Sequence, residues 1–186
     1  MYRLILILLL TPTFLLSQSD LNQSDKTGKN QGKWVRKYEN GQVAYQGQFK
    51  DDKPTGLFIY FYEDGVKKRE ANFSKNGTVT YTKAYNSTGK LMAAGKYVEE
   101  KRDSLWKFYA EKGWVISEET FVKGKKEGMS KNYFEDGTLS SEILFKNDKK
   151  NGAAKEYYAD KTPKMIGGYI NDTLEGKVTY YYPGNI

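Results

Sequence analysis

The chemistry open to this chain is narrowed first by what it lacks. Its 186 residues include no histidine and no cysteine. A Ser-His-Asp relay, an imidazole metal ligand, a thiolate nucleophile and a disulfide framework are all excluded. What remains for catalysis is a pair of carboxylates acting on a glycoside, with the carboxyl groups about 5–9 Å apart. Glu118-Glu119 and Glu99-Glu100 are neighbours in sequence, and neighbouring side chains of a strand point to opposite faces. Glu63, Asp64, Glu135 and Asp136 fall where turns are expected. No acid stands out from the pattern as a catalytic residue would. The expectation is a non-enzymatic protein with no cofactor and no metal site.

Two groups of side chains are candidates for binding. The first is aromatic: Phe61, Phe108, Tyr133, Tyr157 and Tyr181, each just before a ladder of tyrosines. Tyrosine combines rigid area with a polar tip, so an exposed stripe of this kind suits a sugar ring, a peptide or a partner protein. Lys33, Lys131, Lys155, Lys177, Glu142 and Glu156 are expected around it, with Lys131 opposite Glu142. The alternative is that the rings pack on neighbouring strands. The second group is the basic links: Lys53, Lys123-Gly124-Lys125-Lys126, Lys146 and Lys149-Lys150. With a net charge of +7, they suit an anionic lipid headgroup or an envelope glycan bearing phosphate. Asp51, Asp52, Glu127 and Asp148 dilute that field, which leaves a merely solvated surface as the alternative. Nucleic acid is a poor partner for an exported chain of such modest charge.

The elements that must position these residues repeat. Phe49, Phe73, Tyr97, Phe121, Phe145 and Tyr169 stand 24 residues apart without exception. Tyr38, Tyr62, Tyr85, Tyr109, Phe134, Tyr158 and Tyr182 form a second ladder, with steps of 23 to 25. Gly32, Gly56, Gly128, Gly152 and Gly176 form a third, its gaps filled by Val79 and Asp103. A fixed period of this size is the signature of a repeat architecture. Within each unit, two short aromatic and β-branched runs flank Asn40-Gly41, Asp64-Gly65 or Asp136-Gly137. Such dipeptides favour a two-residue type I′ hairpin turn. An all-β fold follows: an elongated antiparallel meander of stacked hairpins.

A two-residue turn at Asn40-Gly41 sets the register, placing Tyr38 opposite Val43, Trp34 opposite Gly47 and Gly32 opposite Phe49. By the same rule Tyr62 faces Lys67, Gly56 faces Phe73, Phe134 faces Leu139, Gly128 faces Phe145 and Gly152 faces Tyr169. The repeat's ring is then expected to fold over its cross-strand glycine. The pattern G-x-[WF]-x-x-Y-Y-x-[ND]-G, then seven residues and an aromatic, resembles the bacterial MORN repeat variant, most closely at Gly32–Phe49, Gly56–Phe73 and Gly128–Phe145. The resemblance implies a binding or spacer module, often of the kind labelled YwqK-type antitoxin. Units three and four depart from it: they lack the leading Gly and carry one extra turn residue, at Asn86-Ser87-Thr88-Gly89 and Ala110-Glu111-Lys112-Gly113. A bulge or a wider loop is expected at both.

Residues 1–19 have the form of a secretory signal: Arg3, the apolar run Leu4–Leu10, and Ser17-Gln18-Ser19 as a cleavage site. An uncleaved anchor is the alternative. Residues 20–31 are polar and are expected to be a disordered leader, and 32–186 hold about seven units, the last truncated. The function expected is that of an exported binding or scaffold module for a protein, or for an envelope glycan or anionic lipid. The alternatives are an antitoxin or immunity-type binder of a toxin, and a structural spacer.

Overall fold

The computed structural model describes residues 21–184, so the expected signal at 1–19 lies outside the described residues. Sixteen strands form one sheet whose order along the hydrogen-bonded path follows the chain. Six hairpins make up its body: β2 (Asn30–Lys37) with β3 (Val43–Lys50), β4 (Lys53–Phe61) with β5 (Lys67–Ser74), and β6 (Val79–Tyr85) with β7 (Leu91–Val98). The others are β8 (Lys101–Tyr109) with β9 (Val115–Val122), β11 (Gly128–Tyr133) with β12 (Leu139–Lys146), and β13 (Lys149–Tyr157) with β14 (Pro163–Ile170). The short β10 (Lys125–Lys126) leads into β11, while β15 (Thr173–Leu174) and β16 (Thr179–Tyr180) both pair with β14. The meander is as expected.

The register is confirmed in the body of the hairpins and corrected at their tips. Gly32 faces Phe49, Trp34 faces Gly47, Gly56 faces Phe73, Gly128 faces Phe145 and Gly152 faces Tyr169. At the tips, however, Val43 faces Lys37 rather than Tyr38, Lys67 faces Phe61 rather than Tyr62, and Leu139 faces Tyr133 rather than Phe134. The turn has three residues, not two. The Tyr38 N–H donates to the Gln42 carbonyl at 2.8 Å, and the Gly41 N–H to the Tyr38 carbonyl at 3.0 Å. Only Gly41 has a positive φ, +84°, which is a type I turn closed by a glycine bulge. Asn40 Oδ1 accepts the Gln42 N–H and Asp64 Oδ1 the Val66 N–H, an Asx contact that holds the tip. The type I′ turns are on the links, where both central residues have positive φ: Asp51 and Asp52 (52° and 65°), or Asn147 and Asp148 (50° and 70°).

Units three and four have no extra turn residue. The same two hydrogen bonds close Asn86–Lys90 and Ala110–Trp114. The hairpin-tip column is therefore Tyr38, Tyr62, Asn86, Ala110, Phe134, Tyr158 and Tyr182, at 24-residue steps throughout. Tyr85 and Tyr109 belong to the column before it. In the same way the gaps in the glycine ladder are filled by Thr80, facing Tyr97, and Ser104, facing Phe121, not by Val79 and Asp103. Ser104 adopts the ladder's positive φ, 59°.

The ring-over-glycine contact exists, but at other glycines. A Cβ on Gly32 or Gly56 would meet nothing within 4 Å, and both have positive φ (69° and 66°). Backbone conformation, not a covering ring, explains these glycines. A Cβ on Gly47 would collide with the ring of Phe58, and one on Gly95 with the indole of Trp106. Phe58 and Trp106 come from a column that reads Trp34, Phe58, Thr82, Trp106, Ser130, Ala154 and Val178 at 24-residue steps. On the same face, Trp34, Phe49, Phe58 and Phe73 pack edge to face with centroids 5.1–5.8 Å apart. At Ser130 the column is small and its partner large: Ser130 faces Ile143, which packs with Ala154 and Met165.

The leader is not disordered from Leu21 onward. The strand β1 (Gln23–Ser24) pairs with Gln31 and Asn30, and Asn22 exchanges two hydrogen bonds with Val35. A polar segment orders here because β2 offers it the unpaired backbone groups of an edge strand.

Three substitutions separate conformational glycines from covered ones. Gly47→Ala is expected to cost about 1–3 kcal/mol by overpacking Phe58. Ser104→Gly is expected to gain, and Gly56→Ala to lose, about 1 kcal/mol through positive φ. Urea unfolding midpoints check the signs; a stabilised Gly47→Ala variant would refute the packing account.

Candidate functional site

The face opposite the rings is built on one row of cross-strand partners. It runs Ile59, Glu70, Lys83, Ala94, Lys107, Glu118, Lys131, Glu142, Lys155 and Ile166 across ten strands. From Lys107 to Lys155 the charges alternate without a break. Lys131 faces Glu142, as expected from the sequence. Lys107 Nζ lies 2.8 Å from Glu118, and Lys155 Nζ 3.8 Å from Glu142.

The expected aromatic residues are drawn into this ladder rather than standing free above it. Tyr133 donates its hydroxyl to Glu118 Oε2 at 2.9 Å, and Tyr157 to Glu142 Oε1 at 3.0 Å. Both rings are half-buried. Burial, and then the hydrogen bond to Glu118, raise the Tyr133 phenol above its ordinary pKa; burial and Glu142 do the same for Tyr157. The Lys107 hydrogen bond lowers Glu118, with burial opposing and Tyr133 adding. Tyr181 is half-buried, and its carbonyl accepts the Tyr158 hydroxyl at 2.9 Å. Phe61 is also half-buried, its carbonyl accepting from Tyr38 at 2.7 Å. Phe108 pairs with Ala93 and Ser117 on the ring-bearing face, stacked on Trp106 at 6.3 Å. The five residues therefore do not form one open stripe.

The basic links are also partly engaged. Lys126 reaches Glu119 at 2.8 Å and lies over Phe145, and Lys150 lies over Tyr169 at 4.8 Å. The link acids serve the backbone: Asp52, Asp148 and Asp172 accept the main-chain N–H of Asn30, Lys126 and Lys150. Glu118 and Glu119 occupy opposite faces, since they face Lys107 and Trp106 respectively. Among the described residues no three acids gather as a metal site would require.

What sequence reasoning missed is a column one residue after the leading glycine. Leu57 (53% exposed), Tyr81 (60%), Leu105 (47%) and Met129 (38%) stand 24 residues apart on the charged face. Its period was visible in the sequence. Its exposure was not, because a strand pattern gives alternation without saying which face is covered. Leu57, Tyr81 and Leu105 wall a groove of about 630 Å³ whose floor includes Ala94 and Gly95. Ala94 is the one short side chain between Lys83 and Lys107 in the ladder.

Four segments, 30–51, 54–75, 102–123 and 126–147, match the model of the MORN repeat variant family, a little under half of the chain. MORN repeats are generally binding or scaffold modules. The matched segments keep the 24-residue phase and leave out units three, six and seven. No curated protein matches the chain. Among solved structures, it is similar to a mutant of S. aureus TarM in complex with fondaparinux, alpha-GlcNAc-glycerol and UDP. That match has 15% identity over 52% of this chain and 19% of that one, with a TM-score of 0.39. A second TarM crystal structure matches at 16% identity over 50% of this chain and 20% of that one, with a TM-score of 0.37. The chain thus spans about a fifth of the length of these structures.

The ladder makes stability depend on acid. The folded pKa of Glu118 is lowered, so its contribution is complete above the unfolded carboxylate value of about 4.3 and is lost as pH falls through the folded value. Glu118→Gln is expected to remove that slope at a cost of up to about 1 kcal/mol near neutrality, since the pair is partly solvated. Unfolding midpoints against pH measure both. Phenolate absorbance is expected to show a class of tyrosines titrating late, and Tyr133→Phe and Tyr157→Phe to reduce it.

Proposed function

We propose that this chain is a non-enzymatic scaffold that binds a protein partner along its charged face, through the exposed column of Leu57, Tyr81, Leu105 and Met129. The observation that carries this reading is that column, apolar and solvent-facing at every repeat from the second to the fifth. Aligned apolar exposure on an otherwise charged face marks an interaction surface. Of the lysines beside it, Lys96 and Lys107 are paired with Asp103 and Glu118, which leaves Lys83 to meet an acidic group on the partner. The ladder contributes register rather than net attraction, because its charges already alternate. Tyr133 and Tyr157 stiffen the face by holding Glu118 and Glu142 in place.

Export through residues 1–19 belongs to the same proposal and rests on Arg3, the run Leu4–Leu10 and Ser17-Gln18-Ser19. The YwqK-type antitoxin reading differs in the partner, a toxin met inside the cell, and in location. N-terminal sequencing of the mature protein separates the two.

Pull-downs compare the wild type with Leu57→Ser/Leu105→Ser/Met129→Ser and with Tyr133→Ser/Tyr157→Ser/Tyr181→Ser. One protein is expected to be retained by the wild type and lost from the first variant. Retention unchanged in the first variant but lost in the second would move the site back to the tyrosines. No partner in either compartment would leave a spacer.

A further inference from the structure

The ring-bearing face has a gap at unit three. In the column that reads Trp34, Phe58, Thr82 and Trp106, the third member is a threonine where its neighbours are aromatic. Thr82 is 5% exposed, and its hydroxyl is the one buried side-chain polar atom without a hydrogen-bond partner among the described residues. Beside it opens a cleft of about 860 Å³, walled by the rings of Tyr60, Phe73 and Tyr97 and lined by Thr80 and Arg69. That volume is in the range of small-ligand pockets, about 300–1,000 Å³. Cross-strand pairing places these groups on one face: Tyr60 with Arg69, and Thr80 with both Phe73 and Tyr97.

Arg69 is the distinctive group. Its guanidinium carbon lies 4.0 Å from the centroid of the Tyr60 ring. Among the described residues its side chain makes no ion pair and no hydrogen bond. Its place over Tyr60 leaves the guanidinium N–H donors free, and a free guanidinium binds a planar or tetrahedral anion in two-pronged fashion. Of the other two described arginines on this face, Arg36 is exposed opposite Tyr45, outside the cleft, and Arg102 sits over Trp106, Phe108 and Phe121. At the link end of the cleft, Asn76, Thr78, Glu99 and Glu100 supply amide, hydroxyl and carboxylate groups.

We propose that this cleft binds a pyranose sugar bearing a carboxylate or a phosphate. The anion sits on Arg69, the sugar ring lies against Phe73 and Tyr97, and its hydroxyls bond to Thr80 and the link-end polar groups. Aromatic faces alternating with hydroxyl, amide and carboxylate groups match a sugar, which presents C–H faces between hydroxyls. An acidic peptide would use the arginine and leave those acceptors unpaired. The cleft lies on the opposite face from the apolar column, so the two sites can be tested separately.

The test is an NMR titration of the purified protein with glucuronic acid, glucose 6-phosphate, glucose and inorganic phosphate. The two acidic sugars are expected to shift the amides of Phe73, Thr80, Thr82 and Tyr97 saturably, and their relative affinities identify which anion is preferred. Glucose and inorganic phosphate are each expected to bind about tenfold more weakly, having lost one half of the recognition. Arg69→Gln should abolish the preference for acidic sugars over glucose. Arg69→Lys, which keeps the charge but not the fork, should weaken it by about tenfold. Equal affinity for glucose, equal affinity for inorganic phosphate, or unchanged binding in Arg69→Gln would overturn the proposal. So would shifts confined to other units, or tighter binding of a tri-glutamate peptide than of either sugar. An unchanged unfolding midpoint shows that the Arg69 variants are folded; Tyr97→Leu, which removes the sugar platform and keeps the arginine, provides a second check.

Discussion

The structure depends on rings lying on glycines of the strand before them. Phe58 covers Gly47 and Trp106 covers Gly95. A single sheet has no second layer to bury its apolar face, so each hairpin must cover the backbone of its neighbour. A ring over a glycine does this at close range, because no Cβ holds the two strands' surfaces apart. Few apolar side chains among the described residues are fully buried, Phe58 and Trp106 being the largest. Coverage is passed from hairpin to hairpin, and stability is expected to be shared between nearest neighbours rather than concentrated in one centre.

Two turn types keep that coverage in phase. A three-residue turn closes each of the six hairpins, its bulge residue a glycine in five and Lys161, at φ 69°, in the sixth, and a two-residue type I′ turn forms most of the links. Tyr38, Tyr62 and Tyr158 then donate their hydroxyls to carbonyls 23 residues further on, tying successive hairpins at the tips. At the link edge the acids Asp52, Asp148 and Asp172 reach back about one repeat to a main-chain N–H. With both edges stapled, the faces differ in work: one supplies packing, and the other presents a charge ladder beside an apolar column.

Unit three is where repetition lapses. Thr82 replaces a ring, Thr80 replaces the leading glycine, and the link before it carries a 3-10 turn at Lys75–Gly77. The strands on either side, β5 and β6, pair without the bulge found in other links. The groove beside Leu57 and the cleft beside Thr82 both border this unit, one on each face. Thr82 lacks a ring and faces only Ala71 and Gly95, which opens space on the packing face without unravelling the sheet, because the backbone ladder continues through it.

The sequence by itself determined the strand period, the antiparallel meander and the pairing of Gly32 with Phe49 and its equivalents. These follow from a 24-residue repeat and the two-residue alternation of strands, which are local properties. The tip turn was misread because Asn-Gly serves both a type I′ turn and a bulged type I turn, and the choice depends on the flanking strands. The columns of units three and four slipped by one residue for a related reason: Tyr85 and Tyr109 are aromatic neighbours of the true positions Asn86 and Ala110. Only the tertiary structure decided that Tyr133 and Tyr157 serve Glu118 and Glu142, that Leu57 and Leu105 face solvent, and that Arg69 stands unpaired over Tyr60. Each depends on which strand lies alongside, and that is set by all the bulges between the two residues rather than by their spacing in the chain.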